Sequence, residues 1–218
     1  AVSGSDTAIV SSGDAGIDGM AGLILELLDE DGKRAPELPL LQREIDVVIV
    51  PGVSAVQAAA SVLGAPLMHD FAVISLSDLM TPWGAIRKRL QAAADADFVV
   101  ALYNPRSQGR VRQIEEAQKI LLSRRSPETV VGIVRNACRD GESKTVTTLQ
   151  QMLQHDIDMF SIVIIGNSAT FVDGKGRMVT PRGYETGTRH LALDTGKVLI
   201  QCPEPRDQSL FPRAQRPA

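Results

Sequence analysis

Residues 8–10 form a short apolar run that breaks at Ser11 into small residues and one acid, Asp14. Apolar positions then recur at Ile17, Met20, Ala21, Ile24, Leu25 and Leu28. The run predicts a strand, and the later spacing predicts one face of a helix beginning near Ile17. The design repeats downstream, with a strand over 45–50, a turn at Pro51-Gly52, a helix over 53–63 and Gly64 as its stop. Between the two units, residues 29–43 carry Asp, Glu, Lys and Pro and read as an exposed connector. Ala65-Pro66-Leu67 reads as a hinge.

The second half continues the alternation. Strands are predicted over 71–76, 98–102, 129–134 and 160–165, with a hairpin-like segment over 142–147. Thr81-Pro82 is a helix-start signal, a capping hydroxyl followed by proline. Trp83, Ile86, Leu90 and Ala94 follow it as one apolar stripe. A helix is predicted over 111–122 and a short one around 149–153. From Asp173 the periodicity fades, and residues 203–218 read as a tail. Strands alternating with helices predict an α/β protein, with mixed sheets flanked by helices. The expected division is a first α/β domain over 1–67, apparently incomplete, a second over 68–196 and a flexible tail over 197–218.

Composition narrows the function. The 218 residues are 44% hydrophobic and 22% charged, enough apolar material for a normal core. Net charge is −3 without long like-charged blocks, which gives no footing for nucleic acid or a membrane surface. No apolar run approaches the roughly eighteen residues of a membrane span, and no leader is visible, so a cytoplasmic location is expected. Cys138 and Cys202 lack metal or redox spacing, as do His69, His155 and His190, so no metal site is expected.

Ligand chemistry is expected at strand ends, where open α/β sheets bind small molecules. Ser12-Gly13-Asp14-Ala15-Gly16 admits two readings: a tight turn with Asp14 capping the helix, or a cofactor loop in which Asp14 and backbone groups hold a polar ligand. Neither the dinucleotide fingerprint nor a P-loop is present, which disfavours NAD and ATP. Tyr103-Asn104-Pro105 and Arg135-Asn136-Ala137 hold equivalent strand-end positions. Arg106, Arg110, Arg112, Arg135, Arg139 and Lys144 are either a solvated face or recognition groups for a substrate with several carboxylates.

These motifs carry a resemblance. Residues Ser11 to Met20 resemble the S-S-G-D-P-G-I-Y-G-M loop of the tetrapyrrole methylases, with Ala15 and Asp18 at the usual proline and tyrosine. Pro51-Gly52-Val53-Ser54-Ala55, the ISLSDL-x-TPW string ending at Trp83, LYNPRS over 102–107 and Ile164-Ile165-Gly166-Asn167-Ser168 follow the same family in order. The resemblance covers about residues 7–184 and is nearest to the branch that methylates C17 of precorrin-3B with ring contraction.

It implies S-adenosylmethionine as methyl donor, a tetrapyrrole substrate, a homodimer and a place in cobalamin biosynthesis. By family pattern, Gly13, Asp14, Gly16 and Ile17 line the sulfonium side of the cofactor. Ser54, Ala55, Tyr103, Asn104, Asn136 and Ala137 complete its pocket, and Arg106 and Arg135 are the substrate-binding candidates. No catalytic residue is assigned, because transfer from a sulfonium needs alignment more than a covalent side chain. A cobalt-bearing substrate of the anaerobic pathway fits the residues equally. Ala15, Asp18 and the absence of the family's opening strand and G-x-G-P-G loop motivate a further alternative, an inactive binding homologue.

Overall fold

The structure is a computed structural model that describes residues 6–17, 19–28, 46–107 and 109–183. These residues belong to one compact unit ending at Gly183. The predicted connector over 29–43, Asp18, the segment beyond 183 and its tail lie outside them.

The centre is a five-stranded mixed sheet of β2 (Phe71–Ser75), β3 (Val99–Tyr103), β4 (Val130–Arg135), β5 (Ser143–Thr148) and β6 (Ser161–Ile165), in the order β2-β3-β6-β4-β5. β2 and β3 are parallel, whereas β6 runs antiparallel to both β3 and β4. The carboxyl ends of β2, β3 and β4 therefore share one edge with the start of β6. A smaller sheet pairs β1 (Gly64–Ala65) with β8 (Met178–Val179) and β8 with β7 (Phe171–Val172).

Two-residue alternation divides the core between the faces of the large sheet. Val100, Leu102, Val131, Ile133, Val163 and Ile165 pack against α3 (Trp83–Asp95) and α4 (Arg112–Leu122), which contribute Ile86, Leu90, Ile114 and Leu121. Val99, Ala101, Tyr103, Val134, Ile162 and Ile164 face α2 (Ala55–Leu63), which contributes Val56, Ala59, Ala60 and Leu63. Gly132 lets α2 approach, since a Cβ there would stand 2.4 Å from Leu63 Cδ1. Arg125, buried beyond α4, ties the layers by donating to the carbonyls of Gly166, Ala93 and Phe98.

The five strands read from the second half are all present, including the β4–β5 hairpin. The first half differs. Residues 8–10 and 46–50 are not in ladders among the described residues, and Ile9, Val10, Val48 and Val50 are exposed. An apolar run becomes a strand only where a neighbouring edge supplies its hydrogen bonds, and no such edge pairs with these runs among the described residues. Helix α1 spans Ala21–Leu27, four residues later than predicted, because 14–17 close into an isolated bridge and Gly19 passes under the Ala15 carbonyl. Helix α2 likewise starts after Ser54, with Gly64 at its end at φ +135°. Thr81 makes no cap hydrogen bond, Pro82 being the residue that precedes α3. The helix expected around 149–153 is a single 3₁₀ turn, Met152–Gln154. β7 and β8 are too short to leave a periodic signal.

Candidate functional site

The shared strand edge, the 12–17 loop and the start of α2 enclose a cavity of about 370 Å³. Gly13, Asp14, Ile17, Ala55, Tyr103, Asn104, Asn136 and Ala137 line it. Gly16, which is exposed, and Ser54, which is buried, are not among its lining residues. Arg106 and Arg135 are outside the cavity as well.

Asp14 fixes one wall. Its carboxylate accepts from the Gly16 N–H at 2.8 Å and from the Gly52 N–H at 2.9 Å, so one side chain joins two loops. The Gly52 N–H foremost, then those of Gly16 and Ile17, hold the carboxyl below its ordinary range. It does not cap α1, whose preceding residue is Met20 and has no side-chain cap. Gly52 is required by contact, because a Cβ there would lie 2.3 Å from the Gly13 carbonyl oxygen. Gly13 itself sits at φ +85°, which glycine adopts freely.

Tyr103 is buried, and its hydroxyl accepts the Val56 N–H at 2.9 Å, capping the first turn of α2. Gln57 Oε1 reaches back to accept the Ser54 N–H at 3.0 Å and the Ser54 hydroxyl at 3.1 Å, so Gln57 satisfies the backbone at the start of α2. Asn104 and Asn136 end β3 and β4 in the same left-handed conformation, at φ +48° and +51°. Asparagine adopts this region more readily than most residues, so both strands turn away sharply at the cavity. Asn104 donates to Ser75 Oγ at 3.1 Å, and its carbonyl accepts from buried Arg110 at 2.8 Å.

Of the opposite wall, the sequence reading includes Arg139 alone, among six basic residues. Met159 and Phe160 precede β6, Ser161 opens it, and Cys138 and Arg139 follow β4. Asp158 organises the first group, taking hydrogen bonds from the Phe160 N–H, the Ser161 hydroxyl and Arg135 Nε. Burial works against its charge, but the Arg135 guanidinium, Ser161 and Phe160 together hold its pKa down. Arg135 is thereby committed to Asp158, with its guanidinium 5.8 Å from the Phe160 ring centre. Arg139 reaches from the other side and donates to Ser12 Oγ.

A family model described as Tetrapyrrole (Corrin/Porphyrin) Methylases matches residues 1–153. The chain belongs to the tetrapyrrole methylase family. It is 51% identical over 185 residues to a cobalt-factor III methyltransferase of Priestia megaterium, covering 85% of this chain and 33% of that protein. It is 50% identical over 184 residues to a probable cobalt-factor III C(17)-methyltransferase of Salmonella typhimurium, covering 84% and 72%. Among solved structures, the methyltransferase CobJ superposes with a TM-score of 0.68 at 35% identity, covering 79% of this chain and 68% of that one. The chain thus spans a third of the first of these relatives. The resemblance carried by the 11–20 loop and the LYNPRS string agrees with this membership, and the mixed α/β fold agrees with the CobJ likeness.

Proposed function

We propose that this chain is the methyl-transferring unit of an S-adenosylmethionine-dependent enzyme that methylates C17 of a corrinoid precursor in cobalamin biosynthesis. The observation that carries the reading is the cavity at the carboxyl ends of β3 and β4, where the Asp14–Gly52 junction, Tyr103-Asn104 and Asn136-Ala137 converge. Its volume is that of a small-molecule pocket, typically about 300–1,000 Å³. Its walls mix backbone, amide side chains and apolar groups, which suits a ligand with an adenosyl body and a polar amino-acid end.

Gly13, Asp14 and Ile17 form the wall on one side of the cofactor, Ala55 and Tyr103 its floor, and Asn104, Asn136 and Ala137 the strand-end rim. When bound, the cofactor supplies a sulfonium methyl that an electron-rich carbon of the macrocycle takes in line. The chain's contribution is to fix the approach and keep water out of the path. Asp14 serves that end indirectly, holding two loops together with both carboxylate oxygens engaged.

The substrate is precorrin-3B, converted to precorrin-4 with ring contraction, or its cobalt-bearing counterpart. The names of the two relatives reported above favour attention to the cobalt form. A homodimer and a cytoplasmic setting belong to the same reading, and no helix among the described residues is long and apolar enough to cross a membrane. Incubation with each macrocycle and a ¹³C-methyl donor tests it. Label at C17 supports the proposal, and the substrate consumed decides between the two forms. Label at another carbon, or none, contradicts it.

A further inference from the structure

We propose that Arg139 is the carboxylate-binding residue of the cavity, poised on Ser12 and transferred to a ligand carboxylate when one enters. The inference rests on the methyltransferase reading, because that cofactor carries an amino-acid carboxylate and the macrocycle carries several carboxylate side chains.

Among the described residues lining the cavity, Arg139 is the only cation and Asp14 the only carboxylate. Asp14 is committed to the backbone of Gly16 and Gly52. Arg139 makes no ion pair in the described structure, and the one side-chain partner of its guanidinium is the neutral Ser12 hydroxyl. A guanidinium offers five N–H donors in a planar fork matched to a carboxylate, and one hydroxyl occupies little of that capacity. The backbone beneath it is fixed. The Arg139 N–H donates to the Asn136 carbonyl at 2.9 Å and the Arg139 carbonyl accepts the Glu142 N–H at 3.1 Å. The Glu142 carboxylate takes the Cys138 N–H at 2.6 Å. The turn thus holds the base of Arg139 at the rim while its charged end keeps an exchangeable partner. Arg135, by contrast, is already paired with Asp158.

The test uses the full chain, with Arg139→Gln and Ser12→Ala. Calorimetry is run with S-adenosylhomocysteine and with 5′-methylthioadenosine, which keeps the adenosyl thioether and lacks the carboxylate. If the cofactor supplies the carboxylate, Arg139→Gln weakens S-adenosylhomocysteine by about tenfold or more and leaves methylthioadenosine unchanged. If the macrocycle supplies it, both adenosyl ligands bind normally and KM for the tetrapyrrole rises by about tenfold or more. Ser12→Ala, which removes the competing hydroxyl, tightens the carboxylate-bearing ligand, and weaker binding of that ligand would overturn the exchange. An Arg139→Gln chain that melts like wild type and matches it in every arm overturns the role of Arg139 alone. A folded wild-type chain that binds neither adenosyl ligand overturns the cofactor reading, and this inference with it.

Discussion

The Asp14 carboxylate accepts the N–H of Gly52, 38 residues further along the chain, at 2.9 Å. The contact joins two glycine-bearing loops into one cavity wall, and its closeness depends on both partners. Asp14 needs two carboxylate oxygens, one for each loop. Gly52 needs no side chain, because the Gly13 carbonyl occupies the space a Cβ would take.

Gly52→Ala is therefore expected to push the two loops apart while sparing the sheet, to which neither loop contributes a strand. S-adenosylhomocysteine affinity falls by about tenfold or more, with the main melting transition nearly unmoved. Calorimetry and circular dichroism on the same sample check this. Unaltered affinity would contradict the role assigned to the junction.

Tyr103→Phe removes the acceptor of the Val56 N–H. Leaving a buried donor unpaired costs about 1–3 kcal/mol, so unfolding in urea should shift to lower denaturant by that amount. Because Val56 lies in the first turn of α2 beside the cavity, ligand affinity should fall too. A variant as stable as wild type would show that water replaces the hydroxyl.

Gly132→Ala places a methyl group against Leu63, and overpacking of this kind costs about 1–3 kcal/mol. Leu63→Val in the same chain makes room, so the double variant should lose less stability than the two single losses added. Simple additivity in a double-mutant cycle would contradict direct contact.

Asp173 accepts from Arg177 Nε at 2.7 Å and from the backbone of Arg177 and Lys175 at 2.9 Å. The Arg177 side chain foremost, then its N–H, pulls the Asp173 pKa from 3.8 to about 2. The folded value lies below the unfolded one, so the stabilising contribution is complete above about pH 4 and is lost as pH falls toward about 2. Carboxyl ¹³C titration should place the midpoint near the lower value. A midpoint close to 3.8 would mean that the turn between β7 and β8 is open in solution.

Most of the central sheet was legible because strands buried on both faces leave unbroken apolar runs, as at Val99–Tyr103 and Ser161–Ile165. The first half was less so. The runs at 8–10 and 46–50 have strand composition, but pairing depends on a neighbouring edge, which composition does not report. At the site, strand-end position points to Tyr103-Asn104-Pro105 and Arg135-Asn136-Ala137, of which all but Pro105 and Arg135 line the cavity. Met159 and Phe160 escaped notice because they sit at the amino end of an antiparallel strand, the end where parallel-sheet reasoning does not look. The sequence reading favours Arg135 over Arg139 as a substrate-binding candidate, whereas Arg139 is the one that lines the cavity. What separates them is Asp158, whose pairing with Arg135 depends on the β4–β6 register.

Occupation of this cavity by the methyl donor is testable on the chain alone. Calorimetric titration of the folded chain with S-adenosylhomocysteine addresses it most directly. Micromolar binding with about one ligand per chain, weakened by Gly52→Ala, is the expected result. A chain shown by circular dichroism to be folded, and binding nothing at millimolar ligand, would contradict it.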